Sequence, residues 1–467
     1  MFEKIKGFFM NILNAFHGYT VEEVTGIKTN ITNEMYRAIN LWADMASGHA
    51  PWNEKSPSCG ILDQIAGRLH MMVSREIGLE VNNPAIEKAM YHLDDNVDKI
   101  VDYITLFGGC VARPVFSNGK LQYQLIPLGN YLPTRYDFDG TLTGALIMKQ
   151  IVNGQHKFLL TEEHLYENSN HTVKCTLYNN DEQILRKVSL ASCPQTENLT
   201  EEYTWHNVKQ PMIIEFRSHC VNKIDGSNVP VALVGAEGVP YLVKCADEQF
   251  ERMNWEQKSG ERKMWADRDL FVKREKKGNK VVGSYISGSE DLNRLIMQVE
   301  GDGSLDYAKV KEVSPALRTA EQNAMFQQIL RRIELTMNIG KGTISDAESV
   351  QQTATQYNGG RQELYAIVDK IEDEIEVKYQ TCADVFAYMA AAYGLGSADS
   401  TIVIKWNDDA TRKDITAAKQ IELQEIASGV RAPWEYRRDF MGEDEETAKV
   451  NVPQAQAQGI EDIFGKE

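Results

Sequence analysis

Between Tyr241 and Ile339 the sequence passes from helix to short strands and back to helix, and this pattern narrows the possible folds more than any other feature. Two helical stretches of similar length, 242–265 and 316–339, flank a compact β-rich insert. Its expected strands are DLFVK near Phe271, KVVGSYI near Tyr285 and RLIMQV near Ile296. Both helices are polar over much of their surface, so a lone two-helix stalk would lack the apolar burial on which helices in proteins depend. Packing against neighbouring copies in a ring would supply that burial. An ordinary helical hairpin inside a globular domain is the competing explanation. Ser314-Pro315 is expected to start the second helix, with Ser as N-cap and Pro at the first position, and Gly340 to stop it.

The flanking segments give an α+β chain. Met35, Ile39, Trp42 and Met45 recur at helical spacing, as do Leu62, Ile65, Leu69, Met72 and Ile77. Asn83-Pro84 opens a helix expected to carry Ile86, Leu93, Val97, Ile100 and Ile104 and to end at Gly108-Gly109. From Cys110 to about Phe216, alternating runs punctuated by Asn118-Gly119, Asp139-Gly140, Asn153-Gly154 and Asn179-Asn180 read as an antiparallel sheet region. A long helix over 361–393 keeps Leu364, Val368, Ile371, Ile375, Cys382, Phe386 and Met389 on one stripe, and would be roughly 50 Å long. TIVIKW reads as an isolated strand before a last helical block from about Arg412 to Ala448. At the start, MFEKIKGFFMNILNAF reads as an amphipathic helix with Phe2, Ile5, Phe9 and Ile12 or Leu13 on one side.

Charge and cysteine content exclude several classes. With 67 acidic against 50 basic residues, the net charge is −17, which argues against ordinary sequence-specific DNA binding, where basic patches neutralise phosphates. An acidic wall past which DNA slides without being gripped remains compatible. Seven cysteines in no CxxC pair fit reduced thiols in a cytosolic setting. No run reaches the roughly 18 apolar residues of a membrane span.

The sharpest catalytic signal is YDFDGTL at 136–142, which resembles the first motif of haloacid-dehalogenase-type phosphatases. GDGSLD at 301–306 resembles that family's Mg²⁺-binding acidic motif. Together they would set Asp137, Asp139, Asp302 and Asp306 around a metal, with Lys276 or Lys280 neutralising charge. The context favours a hairpin turn instead. The nucleophile of such enzymes ends a buried parallel strand, whereas YLPTRY contains Pro133 and Arg135 and is followed by hairpin texture. GKGTIS is too short for a phosphate-binding loop. His156, His164, His171 and His206 have no second ligand at metal spacing and read as surface or hydrogen-bonded histidines. Lys258, Arg262, Lys263, Arg268, Lys273, Arg274, Lys276 and Lys277 form a basic cluster, either a solvated face or a contact for a partner or a passing phosphate backbone. No catalytic residue, metal or cofactor is assigned.

Three segments, in order, resemble the portal proteins of long-tailed phages, and the likeness covers nearly the whole chain. GGCVARPVFSNGKLQYQLIPLGNYLPTRYDFDGTLTGALI resembles the family's wing segment, with a helix ending in glycine, a hairpin and an Asp/Gly turn. ILRRIELTMNIGKGTISDAESVQQTATQYNGGRQELYAIVDKIEDEIE is similar to its stem helix, loop and long helix, and AAKQIELQEIASGVRAPWEYRRDFMGEDEETAK to its closing helices. The chain departs from the family pattern at Gly129-Asn130, where Ala-Asp is usual, and at Gly342-Thr343-Ile344, where the family has Pro-Gly-Thr-Phe.

The resemblance implies a wing over 1–240, stem helices at 241–265 and 315–339, a clip at 266–314 and a tunnel loop at 340–354. A second wing portion would cover 355–411 and a crown 412–467. It further implies a homo-oligomeric ring of twelve at a capsid vertex of the virion, assembled in the host cytoplasm. The ring would pass double-stranded DNA during packaging and ejection and would dock the terminase large subunit. Its other partners would be head-completion, major capsid and scaffolding proteins, with no membrane involved. Lys341, Thr343, Ser345, Asp346, Glu348, Gln351 and Gln352 would line the channel. Twelve copies at −17 each give about −204, a repulsive wall for DNA. A phosphatase and a different oligomeric connector protein are the alternatives.

Overall fold

The computed structural model describes residues 21–74, 77–117, 119–181, 185–260, 263–267, 272–277, 280–285, 296–299, 310–313, 316–346, 362–406, 415–441 and 443–452. The architecture is α+β. The N-terminal stretch expected to be amphipathic lies outside the described residues.

Helices α1 (Val21–Thr25), α2 (Asn33–Ala46), α3 (Ile61–Val73), α4 (Pro84–Asp94) and α5 (Val97–Phe107) open the chain. Thr32 caps α2 by accepting the Met35 N–H, and Met35, Ile39, Trp42 and Met45 are buried as the spacing predicts. Asn83 caps α4 with Pro84 at its first position. Two expectations fail here. The single helix from Pro84 to Phe107 is broken at Asp95-Asn96, and Asn96 starts a new helix in a bridge-like conformation. Ile77, placed on a helical stripe by its spacing, lies instead in strand β1 (Ile77–Val81). Gly108 ends α5 with φ 94°, and an added Cβ would meet the Val231 and Ala232 backbone, so glycine is required twice over.

Strands β2 (Gly109–Ser117) and β3 (Lys120–Pro127) form a hairpin that β10 (Ile214–Arg217) joins along β2. A second, fully antiparallel sheet follows as a meander: β4 (Tyr131–Tyr136), β5 (Leu142–Asn153), β6 (His156–Glu167), β7 (Asn170–Asn179) and β8 (Arg186–Val188), with β9 (Glu202–His206) also paired to β7. Both its faces are covered, because alternate residues point to opposite sides. Leu146, Met148, Leu159 and Tyr178 pack on one face, and Ile151, Phe158, Leu160 and Leu177 on the other.

Next come α6 (Val239–Ser259), the insert strands β11 (Lys263–Asp267), β12 (Val272–Lys277), β13 (Lys280–Tyr285), β14 (Ile296–Val299) and β15 (Val310–Val313), and α7 (Thr319–Met337). The insert holds a three-stranded sheet in the order β14-β11-β15 and the β12-β13 hairpin. Three boundaries differ from expectation. Helix α6 stops at Ser259, and residues 263–265, expected as its end, belong to strand β11 instead. Helix α7 starts at Thr319, with Arg318 and not Ser314 in the cap position. It ends at Asn338, a non-glycine residue at φ 56°, two positions before Gly340.

Helix α8 (Gln362–Ala392) matches the long helix, with Leu364, Val368, Ile371, Ile375, Cys382, Phe386 and Met389 all buried. Strand β16 (Ile402–Trp406), expected to be isolated, pairs antiparallel with β1, Ile77 opposite Trp406. Helices α9 (Ile415–Ala427), α10 (Pro433–Met441) and α11 (Glu445–Val450) complete the described chain. One continuous apolar core joins α2–α5, the β2-β3 hairpin, β10, the first turns of α6, the last turns of α7, and α8.

Candidate functional site

The α6–α7 hairpin has little core of its own along its outer half. Burial on α6 is confined to Val239, Val243, Ala246, Asp247 and Gln249, and on α7 it begins only at Ile329. The outer halves, 250–259 and 319–328, contain no buried residue. They are joined by Phe250 and Phe326, whose ring centroids lie 6.4 Å apart. At the far end Arg318 grips Glu256 through its Nε and Nη2 at 3.1 and 2.8 Å and donates its backbone N–H at 3.2 Å. Arg318 and its backbone amide hold the Glu256 carboxyl below the usual range. Large apolar side chains remain in solvent, with Trp255 64% and Leu335 58% exposed.

Two buried carboxylates tie the inner end of this hairpin to loops. On α6, Asp247 accepts from Trp52 Nε1 at 2.8 Å, Asn53 Nδ2 at 3.0 Å, the Cys59 amide at 2.9 Å and Cys59 Sγ at 3.1 Å. Burial, aided by the Asp247 hydrogen bond, raises the Cys59 thiol beyond its ordinary range, so it stays a neutral donor. On α7, Glu334 accepts from the amides of Gly342 at 3.1 Å, Ile344 at 2.7 Å and Ser345 at 2.8 Å, and from Ser345 Oγ at 2.8 Å. Thr343 Oγ1 donates to the Ile339 and Gly340 carbonyls at 2.6 and 2.9 Å.

The loop after α7 is thus where the channel-lining side chains were expected, but they do not all face the same way. Lys341 and Asp346 are exposed, whereas Ser345 is buried with its hydroxyl committed to Glu334. Glu348, Gln351 and Gln352 lie outside the described residues. Of the basic cluster, Lys258 is exposed near the outer end of α6, and Lys263 lies in β11. Lys273, Arg274, Lys276 and Lys277 lie in β12, with Lys277 paired opposite Lys280. Arg262 and Arg268 lie outside the described residues.

Asp247 and Glu334 escaped the sequence reading, although a signal was present. Asp247 lies one turn beyond Val243, and Glu334 lies among Leu330, Ile333 and Met337, so each is a carboxylate on an apolar stripe.

The phosphatase-like motif forms the turn between antiparallel β4 and β5. The Asp137 amide donates to the Thr141 carbonyl at 2.9 Å, and Gly140 N–H donates to the Asp137 carbonyl at 3.0 Å. Asp139 accepts the Thr141 amide at 2.9 Å, a bond that lowers its carboxyl below the usual range. This is the hydrogen bonding of a turn, and β4 is not the parallel strand a phosphatase nucleophile would end. Residues 301–306 lie outside the described residues.

The histidines do hold a surprise. His164 and His171, both buried, meet at Nδ1···Nε2 3.0 Å. Because the Met212 amide donates to His171 Nδ1 at 3.3 Å, the His171 proton is on Nε2 and is donated to His164. The His164 proton then points from Nε2 toward Glu162, 3.6 Å away, which Arg113 pairs at 2.8 Å. Burial lowers His164, and burial together with His164 pushes His171 down to about 2, so both rings are neutral. His156 and His206 are exposed partners of Asp181 and Asn170. Among the described residues no group of three or more His, Cys, Asp or Glu is placed to hold a metal, and no helix is long and apolar enough to cross a membrane.

Comparison of the chain with family models and with curated proteins finds no match.

Proposed function

We propose that this chain is the subunit of a phage portal ring, through which double-stranded DNA enters and leaves the capsid. The observation that carries the reading is the α6–α7 hairpin, whose outer halves bury nothing and expose Trp255. A helical pair of this length cannot rest on its own hydrogen bonds, because helices in proteins draw most of their stability from packing an apolar face. Lateral contact with the same hairpin of neighbouring subunits would supply that packing. The last helices support the same reading: α10 buries nothing, and α11 buries Ala448 alone. The β-rich insert at the tip would dock the terminase and, later, head-completion proteins. The loop after α7 would face DNA through Lys341 and Asp346, whose mixed charge suits loose contact with a phosphate backbone.

Size exclusion with light scattering, followed by negative-stain imaging, tests the proposal. The expected result is a mass many times 52.8 kDa and closed rings with a central hole. A stable monomer at micromolar concentration, with no rings when scaffold or capsid protein is added, would sink it.

A further inference from the structure

We propose that Glu334 is a positioning residue: its carboxylate is a latch that makes the first residues of the loop, 342–346, move as one body with α7. Glu334 is 1% exposed and lies in the last turn of its helix. Both circumstances disfavour a carboxylate there, since burial strips its hydration and the carbonyl end of a helix repels negative charge. A leucine would suit the stripe of Leu330, Ile333 and Met337 better. What compensates is a set of four donors, all from one short loop: the amides of Gly342, Ile344 and Ser345, and the Ser345 hydroxyl.

The loop is held a second time two turns back. The Asp346 amide donates to Gln327 Oε1 at 2.8 Å. Gln327 and Glu334 are seven residues apart, so they share a helix face about 10 Å along the axis. The chain therefore reverses at Asn338 and runs back along α7, hydrogen-bonded at both points. A shift or rotation of α7 reaches residues 342–346 with no slack in between. The latch stands on these contacts alone; its consequence for DNA rests on the portal reading above.

Glu334→Gln separates the latch from packing. The amide keeps the shape of the side chain, but offers one acceptor oxygen in place of two and turns an NH₂ group toward donors. Amide hydrogen exchange on the purified full-length chain should show Gly342, Ile344 and Ser345 exchanging about tenfold to a hundredfold faster, the loss expected for hydrogen bonds to a charged group. Oligomer mass and helix content should stay as in the wild type, and the thermal midpoint should fall by no more than the lost hydrogen bonds account for. Heads assembled with the variant should hold less DNA. Unchanged exchange at the three amides would overturn the latch, and so would amides of α7 accelerated more than those of the loop, which would make Glu334 a core residue only. Selective release of the loop with normally filled heads would overturn its role in DNA handling. Failure of the wild-type chain to form rings would strike the portal reading instead and leave the exchange result readable.

Discussion

Burial on α8 runs nearly end to end, from Leu364 to Ala390, whereas on α6 it stops at Gln249 and on α7 it starts at Ile329. The difference is not one of helix-forming tendency, for all three are long and unbroken. It lies in what each helix has to pack against. Helix α8 is walled by α4, β10 and the β2-β3 hairpin, and its Tyr379 and Phe386 rings meet Phe216 and Tyr123 edge to face. Among the described residues the outer α6–α7 hairpin has only itself. Substitutions in the body should therefore weaken the folded monomer, and those in the hairpin should weaken the proposed ring while sparing the monomer.

The largest effect should come from the body. Trp42 is 1% exposed, and its indole lies where a Cβ on Gly235 would fall. Trp42→Ala should cost about 3–5 kcal/mol in chemical denaturation, the usual range for removing a buried aromatic. A loss below about 1 kcal/mol would mean that this core is looser than its packing indicates.

The sheet of β4–β9 should add its own dependence on pH. The folded state holds His171 down near 2, against an ordinary value of about 6.5. Its contribution to stability is complete above pH 6.5 and falls away as pH drops toward 2, because only the unfolded state then takes the proton. Between pH 7 and pH 5 this amounts to about 2 kcal/mol. Glu215 and Asp94, raised by burial, act in the opposite sense on acidification. The comparison to make is therefore the pH slope of wild type against His171→Gln, which should be flatter by about that amount. Parallel slopes would rule out a neutral buried His171.

The smallest effect on the monomer should come from the hairpin. Trp255→Ser should change unfolding free energy by no more than about 0.5 kcal/mol, as is usual for exposed sites, yet reduce the ring fraction in light scattering. Loss of monomer stability without loss of rings would reverse the contrast drawn between the two regions.

Much of the body was legible because apolar spacing records it. The stripe of α8, the Asn83-Pro84 start and the Asn153-Gly154 hairpin turn follow from period and turn chemistry. The pairing of β1 with β16 was not legible, since nothing local in Ile77–Val81 announces a partner more than 300 residues away. The break at Asp95-Asn96 was hidden because Val97, Ile100 and Ile104 prolong the apolar period across it. At the candidate site the loop itself could be placed from its glycines, but Asp247 and Glu334 were not recognised as buried. Spacing arguments assign charged residues to solvent by default, and only a carboxylate on an apolar stripe breaks that rule.

The insert leaves α6 and re-enters α7 at neighbouring points: a Cβ on Gly260 would collide with Leu317, and the Arg318 amide reaches Glu256. For evolution, such a pair of ends is a socket. A module of different length or topology can be exchanged there without moving a residue of the core, since the clamp of Arg318 on Glu256 closes the hairpin below whatever is mounted on it. Selection can thus remodel the insert while the scaffold beneath stays constant, and divergence among its kin should be concentrated between the two helices.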